Sequence, residues 1–110
     1  MRSNMVIPAG HLTLKDLANL LPLKDHIVQL KVPGKIVLEA LENAVSQYPK
    51  TDGRFPSVAG LNFVWDSRKS PFKRVTSVTM WDNTPLEPEH VYTVACKYFL
   101  ALGKDGFSCF

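Results

Sequence analysis

Val91-Tyr92-Thr93-Val94-Ala95-Cys96-Lys97 runs straight into Tyr98-Phe99-Leu100-Ala101-Leu102-Gly103-Lys104-Asp105-Gly106-Phe107. The first seven residues, β-branched and aromatic, predict a buried strand. The ten that follow put an aromatic, a carboxylate and two glycines within short reach of its end. Glycine allows φ > 0 or close approach of a ligand, an aromatic face can stack on a planar group, and an ionised Asp accepts from paired hydroxyls. The plainer alternative is one helical turn and a packed turn, because Gly-Lys-Asp-Gly is ordinary turn chemistry. The rest of the chain decides between them.

Working back from this stretch, Lys35 to Tyr48 predicts the best amphipathic helix: Val37, Leu38, Leu41, Ala44, Val45 and Tyr48 recur at three and four, and Pro49 ends it. Glu39 and Glu42 fall on its polar side, with Lys35 paired to Glu39 at i, i+4. Upstream, His26 to Val32 alternates, with Val28, Leu30 and Val32 on one face, until Pro33-Gly34 breaks it. Thr13-Leu14-Lys15-Asp16 is close to a capping box and predicts a short helix over Leu14 to Leu20, stopped by Pro22. Between the long helix and the last strand, Phe55 and Val58 read as inward anchors in a turn-rich connection. Leu61 to Asp66 and Arg74 to Trp81 read as strands, the second with Val75 and Val78 on opposite faces, and Ser67 to Lys73 as a solvated loop. Strands and helices alternate too irregularly for a doubly wound sheet, which predicts an α+β fold with a mixed sheet.

With 110 residues the chain is a single domain, residues 1–110. Hydrophobic residues at 45% and charged residues at 21% exclude a disordered chain or a coiled coil. A net charge of +3, spread from Arg2 to Lys104, forms no basic stripe, so nucleic acid is not an expected partner. Two cysteines are too few for a disulfide framework, and no apolar run is long enough to span a membrane. His11, His26 and His90 stand apart and predict no metal site. With no nucleophile motif and no phosphate-cradling glycine loop, the residues favour a ligand-binding module over a self-sufficient enzyme.

Taken in order, these segments resemble a known family. The runs Leu12-Thr13-Leu14-Lys15-Asp16-Leu17, Leu20-Leu21-Pro22, Pro33-Gly34, Leu38-Glu39-Ala40-Leu41-Glu42-Asn43, Gly53-Arg54-Phe55-Pro56, Tyr92-Thr93-Val94-Ala95 and Phe99-Leu100-Ala101 with Gly103-Lys104-Asp105-Gly106-Phe107 are similar to the C-terminal domain of the 5'-nucleotidase and 2',3'-cyclic phosphodiesterase family. Each motif is loose, but their shared order over nearly the whole chain is specific. The resemblance implies a nucleotide-recognition domain excised from a larger hydrolase. In such a hydrolase an N-terminal metallophosphoesterase domain carries two divalent metals that activate water, and this chain binds no cofactor itself. It implies that Arg2 faces the substrate's phosphate end, that Phe99 stacks on the base, and that Asp105 accepts from both ribose hydroxyls. Leu23 stands where the family usually has a second aromatic, a change that costs on the order of 0.5–1.5 kcal/mol of stacking. Lys104 stands where the usual loop has Gly, a variant associated with a eukaryotic branch. The resemblance also implies partners: a nucleotide or nucleoside, the metallophosphoesterase domain, and a second copy, since C-terminal domains of the family can pair. A non-catalytic interaction or dimerisation module is the alternative function.

Overall fold

A computed structural model describes residues 6–20 and 24–110. Arg2, Leu23 and the helix stop expected at Pro22 lie outside the described residues. The elements run α1 (Leu14–Leu20), β1 (Ile27–Pro33), α2 (Gly34–Val45), β2 (Leu61–Trp65), β3 (Val75–Met80), β4 (Val91–Lys97) and α3 (Tyr98–Ala101), then a 3₁₀ turn over Lys104–Gly106.

The fold class is α+β, as the segment order predicts. The strands pair as two antiparallel ladders, β1 with β4 and β2 with β3, rather than as one mixed sheet. β4 is correspondingly not a buried strand. With β1 alone beside it among the described residues, Tyr92, Val94 and Cys96 turn inward while Val91, Thr93, Ala95 and Lys97 face out. The β2–β3 register shifts between Val64 and Trp65, so Trp65 sits opposite Val75 whereas Val64 sits opposite Ser77. This irregularity overturns the expected alternation: an extra residue on one strand turns Val75 and Val78, three apart, toward the same core.

That core gathers on α2. Val32, Val37 and Leu41 form its centre, with Leu30, Tyr92 and Val94 from one ladder and Leu61, Phe63, Val75 and Val78 from the other packed around them. Further along α2, Ala40 and Ala44 meet Phe107, which stacks on Phe110 with ring centroids 5.8 Å apart. Small residues here let the C-terminal segment approach the helix.

Polar contacts fix both ends of α2. At its start, the Gly34 and Lys35 amides donate to the carbonyls of His90 and Pro88, at 2.9 Å each. A Cβ on Gly34 would overlap the Glu87 carbonyl, so the pair Pro33-Gly34 marks a close backbone crossing as well as a break. The same crossing brings Glu89 within 3.3 Å of Lys35 Nζ, replacing the expected Lys35–Glu39 pair. The helix ends at Val45, before Pro49, because the carbonyls of Val45, Ser46 and Tyr48 all turn to the buried guanidinium of Arg74, which also donates from Nε to Lys69 O. Glu42 is not solvated: its carboxylate accepts the amides of Arg74 and Val75, both at 2.9 Å. Those bonds fasten β3 to the helix.

At the N-terminus, Thr13 and Asp16 form the predicted box, with the Thr13 amide 3.0 Å from Asp16 Oδ2 and the Asp16 amide 3.2 Å from Thr13 Oγ1. None of α1's residues is buried, and Leu14 is 86% exposed.

Arg74→Met keeps the aliphatic stem but takes the guanidinium donor from the carbonyls of Ser46, Tyr48 and Lys69 and leaves Val45 O with the Tyr48 amide. It should lower stability by about 3 kcal/mol, read as a drop in the urea midpoint. In the β2–β3 loop, hydrogen bonds from Arg68 hold the Asp66 carboxyl down from 3.8 to about 2. A carboxylate depressed in the folded state stabilises the fold above its ordinary pKa, and that contribution fades as pH falls through about 2. In Arg68→Ala, Asp66 should titrate close to the ordinary carboxylate range by carboxyl carbon NMR, and an unmoved titration would contradict this assignment.

Candidate functional site

The chain leaves β4 at Lys97 and turns at once into α3. Two donors at this corner are satisfied from the segment before β1: the Tyr98 amide donates to His26 O at 2.8 Å and the Phe99 amide to Asp25 Oδ2 at 3.2 Å. Asp25 therefore caps α3 from a distance. Sequence reasoning missed it, because a cap across 74 residues leaves no local signature. The Phe99 side chain remains 42% exposed.

Beyond α3, Gly103 (φ 75°) and Gly106 (φ 79°) take the left-handed conformation, and so does Asp105 (φ 52°, ψ 29°). Asp105 is half-buried and Lys104 exposed. The 3₁₀ turn packs against α3, which sets Phe99 and Asp105 on consecutive turns of one loop. Phe107 anchors the loop's far end in the core.

The buried side chain beneath this loop is Asn43 of α2, 4% exposed. Its Nδ2 donates to the Asp105 carbonyl at 3.1 Å and its Oδ1 accepts from Arg54 Nη1 at 3.2 Å. Arg54 is held by Asp52, whose Oδ1 accepts from its amide at 3.0 Å and its Nε at 2.9 Å. Nothing in the helical periodicity distinguishes Asn43 from a surface residue.

An open cleft of about 810 Å³ runs along β4 between α2 and residues 53–61 and reaches the loop at Leu100 and Phe107. Its walls are mostly apolar, with Arg54 and Lys97 the charged residues among the described ones lining it, and neither Phe99 nor Asp105 contributes. Phe55 and Val58, expected as inward anchors, line this cleft half-exposed, Phe55 meeting Trp65 edge-on at 6.2 Å. Leu100 and Phe107 of the loop line this cleft, whereas its exposed aromatic and its carboxylate lie outside the lining.

Among the described residues no group of three His, Cys, Asp or Glu could hold a metal ion, so a dimetal centre does not fit them. Burial pushes the thiols of Cys96 and Cys109 up, which leaves neither poised as a nucleophile.

The family model described as the 5'-nucleotidase C-terminal domain matches residues 1–110, and the chain belongs to that family. It is 34% identical to Protein 5NUC of Lutzomyia longipalpis and 31% identical to human 5'-nucleotidase, covering 93% and 89% of this chain but 19% and 18% of those proteins. Among solved structures it is similar to the 5'-nucleotidase precursor of Thermus thermophilus, with TM-score 0.88 and 37% identity over 94% of this chain and 21% of that one. The Haemophilus influenzae NAD nucleotidase matches with TM-score 0.74 and 27% identity over 88% of this chain and 18% of that one. The chain thus spans about a fifth of the length of these relatives.

Adding a Cβ at Gly106 would place it 2.7 Å from Asn43 Oδ1 and 3.1 Å from Arg54 Nη1, whereas at Gly103 its nearest neighbour is 3.5 Å away. Gly103→Ala should cost about 1 kcal/mol of backbone strain and Gly106→Ala about 2–3 kcal/mol, since steric overlap adds to it. Equal losses in urea unfolding would contradict the close packing at Gly106.

Proposed function

We propose that this chain is the nucleoside-gripping domain of a 5'-nucleotidase-type phosphohydrolase, whose two-metal chemistry resides in an N-terminal metallophosphoesterase domain. The observation that carries the reading is the loop from Tyr98 to Phe107, with a half-exposed aromatic and a left-handed Asp on successive turns. Family membership and the nucleotidase names of the relatives support it. In this reading Phe99 offers a face to the base and Leu23 an aliphatic surface on its other side. Asp105 accepts hydrogen bonds from the ribose hydroxyls, Arg2 meets the phosphate end, and Lys104 adds positive charge at the rim. Lys104 is also the residue that would place the chain in a eukaryotic branch of the family. Metal-activated water would come from the other domain, and this chain's task is to bind and orient the nucleoside.

A second reading, an interaction or dimerisation module, is favoured by α1, where Leu14 and Leu17 are exposed on a helix with no buried residue. Sedimentation of the chain as a monomer at all accessible concentrations would count against a second copy as the partner of that helix.

The chain alone should release no phosphate from nucleoside monophosphates in the presence of divalent metal, and clear turnover would refute the proposed division of labour. Joined to a metallophosphoesterase domain, Asp105→Ala should lower kcat/KM for a nucleoside monophosphate by about tenfold or more while leaving a simple aryl phosphate nearly unaffected. Parallel losses on both substrates would remove Asp105 from ribose recognition.

A further inference from the structure

An uncharged amide buried on a helix costs free energy unless both its ends are bonded. Asn43 meets that condition through two loops distant in sequence, one through the Asp105 carbonyl and the other through Arg54. The two glycine-bearing segments Asp52-Gly53-Arg54 and Lys104-Asp105-Gly106 thereby close on one carboxamide. Gly106 is the residue whose missing side chain permits this approach. Asp105 occupies a backbone region that non-glycine residues seldom enter, and the bond to its carbonyl holds it there.

We infer that Asn43 and Arg54 form a latch that sets the backbone of Asp105 and so aims its carboxylate at the ribose, making both of them positioning residues for discrimination between ribonucleotides and deoxyribonucleotides. The inference rests on the nucleoside-binding reading above for its ribose half and on the hydrogen bonds alone for its loop half. Asp52 belongs to the latch, because its carboxylate holds the Arg54 guanidinium toward Asn43. Neither Asn43 nor Arg54 need touch the nucleotide. Their effect reaches it through the conformation of one peptide unit.

Two readouts on the full chain separate the halves. The Cα and Cβ carbon shifts of Asp105, with the Gly106 amide, report the left-handed turn; dissociation constants for adenosine 5'-monophosphate and its 2'-deoxy counterpart report the ribose. Losing one hydrogen bond to a carboxylate should make the unaltered chain favour the ribonucleotide by about tenfold. Asn43→Ala and Arg54→Gln should move the Asp105 shifts out of the left-handed range and reduce that preference below about threefold, with the β1–β4 amides unchanged. Arg54→Gln, on a surface loop, keeps the test open if the buried Asn43→Ala fails to fold, and Arg54→Lys should recover part of the preference. Asp105 and Gly106 resonances that stay put in Arg54→Gln would overturn the latch even where the nucleotide binds well. Displaced resonances in a chain that never distinguished the two nucleotides would uphold the latch on the loop and overturn the ribose reading instead.

Discussion

Helix α2 leaves carbonyls at its C-terminus that no helical amide can reach, and the buried guanidinium of Arg74 supplies their donors. The rest of the molecule depends on that satisfaction. Arg74 stands at the threshold of β3, and the Arg74 and Val75 amides return to Glu42, one turn before the helix end. The β2–β3 ladder is therefore bolted to α2 by paired polar contacts at its bulged end, where Trp65 and Val75 are opposed. One residue further on, Asn43 holds the loop from Tyr98 to Phe107 to the same helix. Three successive functions, Glu42 for the strand, Asn43 for the loop and the helix end for Arg74, lie within one turn. Apolar burial of Val37, Leu41 and Val45 supplies the bulk of the stabilisation, and these polar bonds decide where each loop sits.

Much of this was visible in the sequence. Thr13 and Asp16 marked α1 because a capping box is local chemistry, and the alternation of Val28, Leu30 and Val32 marked β1 because strand faces have period two. The turn after β4 was readable from its two glycines. What escaped reading were contacts between distant segments. Glu42 and Asn43 look like polar-face residues until β3 and the 3₁₀ turn arrive to bond them, and Lys35 chose Glu89 over Glu39 because the crossing at Gly34 brought Glu89 near. Val75 and Val78 share a core only through the irregularity at Val64 and Trp65, which no alternation rule foresees. Of the candidate site, Phe99 and Asp105 stood out in the sequence by residue type, whereas the groups bonded beneath them, Asn43, Arg54 and Asp25, did not.

Membership of the 5'-nucleotidase C-terminal domain family gives this arrangement a context. The described residues provide a helical base, a short aromatic turn and a carboxylate on a left-handed backbone, while no cluster among them could hold a metal. Helix α2 supports the loop from Tyr98 to Phe107 through the bond from Asn43 to the Asp105 carbonyl. Preorganisation of this kind reduces the ordering cost of whatever such a loop binds.

Nucleoside recognition by the terminal loop is open to a single titration, a map of backbone amide shifts across the unaltered chain as adenosine 5'-monophosphate is added to saturation. Perturbations should concentrate between Tyr98 and Phe107, with smaller ones at Asn43 and Arg54 and none in the Ser67–Lys73 loop. Shifts confined to β4 and residues 55–61, or absent altogether at saturating nucleotide, would remove the loop from recognition.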